Sequence, residues 1–432
     1  MYSKIISIVC LSAILWGCTP TNTPTPPPSS KPSAEALEGT QTVSTMPRST
    51  KRGVSFSITN ITDAFLLSES ISWYYNWGNT PNGDAQTQQF LEASNIDYCP
   101  MCWSGSYSAD RIRAYVKEHP NVKYLLGFNE PNLTDQANMT PQRAGELWPA
   151  VVRLAKELNL KLGAPAMNYG TLSGYSNPIK WLDEFFSIDS VSIDDIDFIP
   201  IHCYMMNPSA VKGYVEMFAK YNKPIWMTEF CAWESVSGVE QQKSYMSDVL
   251  NYFEHNPAVE RYAWFMPRTN KGLNEKPYNQ LLTKVNPIEW TELGEIFNGL
   301  SSQNKSVCLD AANRIPAWWY TDYNVAPTVT NGTDEDTKLM LYNLSQDRWV
   351  EYQIDATTLY SGIDIRYASP IDTEVAIYVD GDPIKMQTLP KTGTLSTWQT
   401  IHIDELPIQG KHYIRIHVIN GTINMSWFKL TL

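Results

Sequence analysis

Two glutamates stand where this sequence can do chemistry. Glu130 lies in the string YLLGFNEPN and Glu229 in PIWMTEF, each directly after an apolar run. A carboxylate beside an apolar strand is expensive to bury, so something must compensate it. Two such groups on one face can serve as acid and nucleophile, one kept protonated by its surroundings and the other ionised. The plainer alternative is that each caps a helix or pairs with arginine at a rim. His202 and Tyr204 fall on alternate residues of another apolar run, so they share a face and can reach Glu229 or a substrate hydroxyl; a core histidine bonded to backbone is the alternative. Trp264 is placed to floor such a site, and Trp77, Trp103 and Trp233 are candidate stacking platforms at or just beyond strand ends, each also readable as packing. Cys231 lies beside Glu229 without a base partner and receives no role.

Residues this far apart in sequence meet only if a repeated scaffold returns their strands to one place. From residue 53, short apolar runs alternate with segments of helical period, the pattern of βα units. The strand runs are GVSFSI from 53, SWYYNW from 72, DYCPMCW from 97, KYLLGF from 123, KLGAPAM from 161, DFIPIHCY from 197, PIWMTEF from 224 and RYAWFM from 261. Between the fourth and fifth, Thr140 and Pro141 suit an N-cap and first helical position, and Ala144, Leu147, Trp148, Val151, Ala155 and Leu158 recur at helical spacing. Strands and helices over roughly 250 residues predict an α/β fold, a (β/α)8 TIM barrel, across residues 51–302. A barrel sets catalytic groups at the C-terminal ends of its strands, which puts Glu130 after the fourth strand and Glu229 at the end of the seventh. An open doubly wound sheet is the rival, but no glycine-rich phosphate loop follows the first strand. From residue 303 to 432 the period becomes two, with Asn420-Gly421 and Asp380-Gly381 as hairpin turns, which predicts an all-β sandwich.

Composition narrows the substrate. Among 432 residues, 15 Trp and 24 Tyr exceed ordinary packing needs, and flat rings stack on the apolar faces of sugars. A net charge of −12 excludes nucleic acid, whose phosphates need clustered Lys and Arg, and disfavours a polyanionic glycan. A neutral polysaccharide or oligosaccharide is the expected partner, with no metal and no cofactor. The opening MYSKIISIVCLSAILWGC has one Lys and then an apolar run too short to span a bilayer, a signal-peptide pattern over residues 1–18. Residues 19–50 are rich in Thr, Pro and Ser and are expected to be an extended linker. Five later cysteines are an odd, sparse set rather than a disulfide framework; Cys99 and Cys102 allow a local bridge.

Resemblance sharpens these expectations. Leu15-Trp16-Gly17-Cys18 resembles the bacterial lipobox, which implies export and a lipid anchor at Cys18, at the outer membrane or cell surface. Asn129-Glu130-Pro131 with a Glu closing the seventh strand resembles a clan of retaining glycosidases. The fuller strings YLLGFNEPN and PIWMTEF resemble glycoside hydrolase family 128, whose members are endo-β-1,3-glucanases, over residues 53 to 300. That likeness implies Glu130 as acid/base, Glu229 as nucleophile and Asn129 as donor to the sugar 2-hydroxyl, in a monomer acting on β-glucan. The C-terminal cadence, with WVEYQID, IDIRYAS and GTINMSWFKL, resembles a family 6 carbohydrate-binding module, although Leu309-Asp310-Ala311-Ala312 replaces its opening Glu-Ala-Glu. Asn424 and the Trp318-Trp319-Tyr320 cluster are its candidate glycan contacts. The alternatives are a clan relative acting on β-1,4-glucan, mannan or galactan, and a catalytically silent surface glycan-binding lipoprotein.

Overall fold

The structure, a computed structural model, describes residues 31–432, so the expected leader and its Cys18 anchor lie outside the described residues. The barrel strands are β1 (Arg52–Ser55), β2 (Trp73–Tyr75), β3 (Asp97–Tyr98), β4 (Tyr124–Leu125), β5 (Lys161–Leu162), β6 (Ile199–Cys203), β7 (Ile225–Phe230) and β8 (Val259–Trp264). Six pair in the order β3-β2-β1-β8-β7-β6, and β4 pairs with β5, all parallel. Single bridges, Met101 to Leu126 and Gly163 to Phe198, close the two seams.

The seams are thin because Pro100 and Pro165 interrupt the third and fifth runs, and proline has no N–H for a ladder. The Pro100 carbonyl still accepts from the Leu126 N–H at 2.9 Å. Around Pro165 the amides of Gly163 and Ala164 donate to Leu125 and Phe198, and those of Ala166 and Met167 to Phe128 and Pro200. Pro165 is thus the extra residue of a bulge, and alternation resumes one step later.

Helix α1 (Pro141–Glu157) begins as its sequence dictates: the Thr140 hydroxyl accepts from the Arg143 N–H at 3.2 Å, and Pro141 fills the first turn. Its buried stripe includes Ala144, Trp148, Val151 and Ala155. The Trp148 ring meets Phe128 and Phe185 edge-on, each at 5.4 Å. Burying one such ring stabilises the barrel by about 3 kcal/mol.

Past the barrel, β9 (Val307–Asp310), β10 (Thr328–Asn331), β11 (Leu339–Ser345), β12 (Trp349–Ala368), β13 (Thr373–Val379), β14 (Asp382–Leu389), β15 (Gln399–Asn420) and β16 (Thr422–Thr431) form an all-β domain. Its main path runs β10-β11-β16-β12-β15-β13-β14. WVEYQID and IDIRYA both lie in β12, which is 20 residues long, pairs with the 22-residue β15 and slips register against it at Ala356, Tyr360 and Gly362. A bulge changes which face a residue occupies without breaking the strand, so it looks like a boundary in the sequence.

The linker expected over residues 19–50 needs correction for its second half. Ala34–Leu37 forms a 3-10 helix with Leu37 buried, and Gln41–Val43 pairs in parallel with β9. This segment is therefore a strap on the β domain before it enters β1. The local bridge that Cys99 and Cys102 allow is not formed: Cys99, Cys102, Cys203, Cys231 and Cys308 are all buried free thiols.

Helices α2 (Val239–His255) and α3 (Glu292–Gly299) carry the β domain. Asn251 is the polar centre of that joint. Its amide donates to the carbonyls of Ser247 at 2.8 Å and Pro327 at 3.0 Å, and its Oδ1 accepts from the Tyr320 hydroxyl at 2.6 Å and Gln303 Nε2 at 3.1 Å. Asn251→Ala would leave these buried partners unpaired and should lower the unfolding free energy by roughly 3 kcal/mol. The urea midpoint measures it; a loss below about 0.5 kcal/mol would mean that the joint does not depend on this hub.

Candidate active site

Local irregularities aim both glutamates into the barrel mouth. In β7, Thr228 is extra relative to β6: Ile201 faces Met227, and the next pair is His202 with Glu229. A bulge bends its strand and re-aims the following side chain, here Glu229 beside His202. Glu130 adopts φ 45°, and Trp77 φ 62°, in the left-handed region that costs a non-glycine residue roughly 1–2 kcal/mol. The Glu130 turn is held by its own N–H on the Ala166 carbonyl at 3.0 Å and by the Leu133 N–H on its carbonyl at 3.0 Å.

A carboxylate oxygen of Glu130, a ring nitrogen of His202 and a carboxylate oxygen of Glu229 lie within 4.8 Å of one another. His202 Nδ1 is 2.8 Å from Glu130 Oε1 and 3.6 Å from Glu229 Oε2. Glu130 Oε1 also accepts from Asn168 Nδ2 at 2.9 Å. Glu229 Oε1 accepts from the Tyr75 hydroxyl at 2.8 Å and from Trp77 Nε1 at 2.7 Å, while its Oε2 accepts from the Tyr204 hydroxyl. Glu130 is 6 % exposed and Glu229 5 %.

Burial alone would push the Glu130 carboxyl up, but the charge of His202 and the hydrogen bonds from His202 and Asn168 outweigh it and set its pKa below the ordinary carboxylate value. Burial pushes His202 down, and the charges of Glu229 and Glu130 more than reverse that, so its pKa lies above the ordinary imidazole value. The hydroxyls of Tyr75 and Tyr204 are driven far up by burial and then by Glu229, which keeps them protonated donors.

The mouth is an open cleft of about 750 Å³, the size of a small-ligand site. The structure brings Trp77, Trp103, Asn129, Glu130, Tyr204, Glu229 and Trp233 to its walls, with His202 buried between the carboxylates. The Asn129 side-chain amide donates to Gln136 Oε1 at 3.2 Å, and its own Oδ1 has no partner. Trp264 is the correction. It is 0 % exposed, gives its indole N–H to the Asn279 carbonyl at 2.8 Å, and packs against Phe230 and Tyr245 on the helix side. Strand side chains alternate, and the next residues, Phe265 and Met266, line the cleft in its place.

Sequence reasoning missed Tyr75 and Asn168, which touch the two carboxylates, and the lining residues Gln136, Phe265 and Met266. Tyr75 had a usable signal, being two residues before Trp77 on the same strand face. Asn168 had none, because the Pro165 bulge shifts the phase of its strand.

Glu130, His202 and Glu229 are the group among the described residues with metal-ligating spacing. Three of their four carboxylate oxygens already accept protein donors, and the raised pKa of His202 disfavours the neutral imidazole that a metal needs. The arrangement suits two carboxylates sharing a nearby proton store.

The family described as "Glycosyl hydrolase catalytic core" matches residues 53–297. Residues 324–430 match "Carbohydrate binding module (family 35)", which replaces the family 6 expectation. The chain is similar to a solved GH128 (subgroup II) endo-β-1,3-glucanase from Pseudomonas viridiflava, with 34 % identity, TM-score 0.54, and coverage of 59 % of this chain and 98 % of that one. A second, from Sorangium cellulosum, shows 32 % identity, TM-score 0.51, and coverage of 57 % and 97 %. Alkali-sensitive linkage protein 1 of Schizosaccharomyces pombe is 26 % identical over 246 residues, which span 54 % of this chain and 41 % of that relative's length.

His202 also sets a pH dependence. With its pKa raised, the His202–Glu130 pair keeps its proton to higher pH and loses it as pH rises through that value, so activity needing the proton falls there. His202→Asn leaves a carboxyl alone to hold the proton, and carboxyls titrate lower. The alkaline limb of kcat/KM on a soluble glucan should move to lower pH; an unmoved limb would assign it to another group.

Proposed function

The chain belongs to the glycosyl hydrolase catalytic core family and to glycoside hydrolase family 128, and from that membership we propose that it is a retaining endo-β-1,3-glucanase with Glu130 as acid/base and Glu229 as nucleophile. One observation carries the reading: the two carboxylates approach within 4.8 Å of each other around His202 at the floor of a tryptophan-lined cleft. Retaining enzymes hold their carboxyl groups about 5–5.5 Å apart, and inverting ones about 6.5–9.5 Å, leaving room for a water. The short approach supports retention.

The groups divide the work. Glu229, its charge spread over donors from Tyr75, Trp77 and Tyr204, attacks the anomeric carbon and forms a glycosyl ester. Glu130 gives the departing glycosidic oxygen the proton that it shares with His202. A water then donates its proton to Glu130 and attacks the same carbon, releasing Glu229 and a sugar of unchanged configuration. Asn129 is read as the donor to the 2-hydroxyl, and Trp77, Trp103 and Trp233 as platforms for sugar faces. A silent binder would have no use for a buried carboxylate with three donors, which sets that alternative aside.

Export and lipid anchoring at Cys18 complete the reading, on the strength of the lipobox-like string. Labelled fatty acid should enter the wild-type protein and not Cys18→Ala; equal labelling would remove the anchor.

Product analysis on β-1,3-, β-1,4- and mixed-linkage glucans and mannan tests the substrate. Preferential cleavage of β-1,3-glucan with β-product first by NMR is expected; preference for another glycan, or α-product first, would overturn linkage or retention respectively. The roles separate with azide. Glu130→Ala on an aryl glucoside oligomer should be accelerated to give a β-azide, and Glu229→Ala should give an α-azide. The opposite configurations would exchange the roles, and near-wild-type activity in both variants would refute the reading.

A further inference from the structure

The active site leaves Trp318-Trp319-Tyr320 unused. Tyr320 is buried in the joint with Asn251, but Trp318 and Trp319 line a second cleft of about 610 Å³. Three parts of the chain build its walls: the N-terminal strap at Arg48, the barrel at Glu69 and Asn298, and the β domain at Trp319 and Lys338. Glu69 precedes β2 and Asn298 lies near the end of α3, so this cleft opens at the N-terminal end of the barrel, opposite the catalytic mouth. Between the two, the barrel interior is filled by Trp73, Tyr75, Met101, Leu126, Phe198 and Trp226. No chain can thread from one to the other.

The cleft's charges are matched internally. Arg48 donates to the carbonyls of Ser68 at 3.1 Å and Ser94 at 2.6 Å. Glu69 accepts from Asn298 at 3.1 Å, and Glu295 pairs with Lys338 at 2.7 Å. Acidic and basic linings balance, so no net field favours an ion. What remains for a ligand is the half-buried indole of Trp319, backed by the buried Trp318 and rimmed by short polar groups, a combination that suits a neutral polyhydroxylated ring: its apolar face stacks on indole while its hydroxyls find donors and acceptors around the edge.

We propose that this cleft is a second glycan-binding site, assembled jointly by the barrel end and the β domain, that holds a neutral glucan chain. The proposal rests on the glucanase reading of the catalytic cleft for the identity of its glycan. A chain held at the far end is not the chain being cut. The site therefore acts on retention, raising the local concentration of polymer at the catalytic mouth.

Adsorption isotherms of the whole protein on insoluble β-1,3-glucan test it, beside kcat/KM on a short soluble β-1,3-oligosaccharide and a thermal midpoint. Trp319→Ala should weaken adsorption about tenfold, and Asn298→Ala about threefold, with kcat/KM and midpoint unchanged. Asn298→Ala carries the test alone if Trp319→Ala does not fold. Wild-type adsorption by both, or a parallel fall of kcat/KM and adsorption, would overturn the site. If the wild type cleaves only another neutral glycan and the variants lose adsorption to that one, the site stands and the β-1,3 reading fails.

Discussion

Two carboxyl groups buried within 4.8 Å of each other are the constraint from which the rest of the catalytic end follows. At that distance, and with the lowered dielectric of a cleft floor, their repulsion amounts to several kcal/mol unless something positive or strongly donating is placed against them. His202 is that group for both, and Tyr75, Trp77, Tyr204 and Asn168 add neutral donors. These come from β2, β6 and the segments that follow β2, β5 and β6, so the barrel must bring several strands to one point. Backbone irregularity is the means: the extra Thr228, the Pro165 slip and the left-handed turn at Glu130 each re-aim one side chain that regular alternation would have turned away.

That mechanism also explains what could be read in the sequence. Periodicity survives as long as geometry is regular, so all eight strand runs and the capped start of α1 were legible, and with them the strand-end placement of Glu130 and Glu229. Where phase shifts, periodicity misleads. Trp264 was placed one residue off at a strand end, and the bent β12 and β15 were cut into halves at their bulges. Asn168 was invisible because its strand has slipped. The strap was missed for a different reason: pairing of Gln41–Val43 with β9 depends on a partner more than 250 residues away, and no local composition reports it. Alternation of period two fixes an all-β fold and not a module family, so the family 6 expectation had no physical basis beyond cadence.

The β domain is coupled to the barrel through buried polar bonds as well as apolar area, and its position has a consequence for both ends. The joint occupies α2, α3 and the barrel's N-terminal end, which leaves the catalytic mouth uncovered. Buried hydrogen bonds such as those of Asn251 specify one docking geometry, because any slide leaves several groups unpaired at once. A cleft built from three segments needs that fixed geometry to exist at all. The strap adds a tie: the chain from the N-terminal side crosses the β domain before entering β1, so the first and last parts of the fold are held together.

The resting electrostatics leave one apparent contradiction, which the proton count resolves. A general acid must be protonated, yet Glu130 lies below the ordinary carboxylate pKa. The cause of that depression is itself a proton, the one on His202, whose Nδ1 is 2.8 Å from Glu130 Oε1. The pair therefore holds one proton across one hydrogen bond, and titrates as a unit rather than as two independent groups. Moving it from Nδ1 to Oε1 turns an ion pair into a neutral pair, a change disfavoured by water and favoured by its exclusion. A bound glucan chain that fills the cleft excludes water from that bond and brings the glycosidic oxygen to the carboxyl. In the proposed reaction, attack by Glu229 removes the negative charge that had favoured the imidazolium. Both changes push the proton toward Glu130 at the step that would consume it, so in the proposed reaction the His202–Glu130 pair also stores the acid.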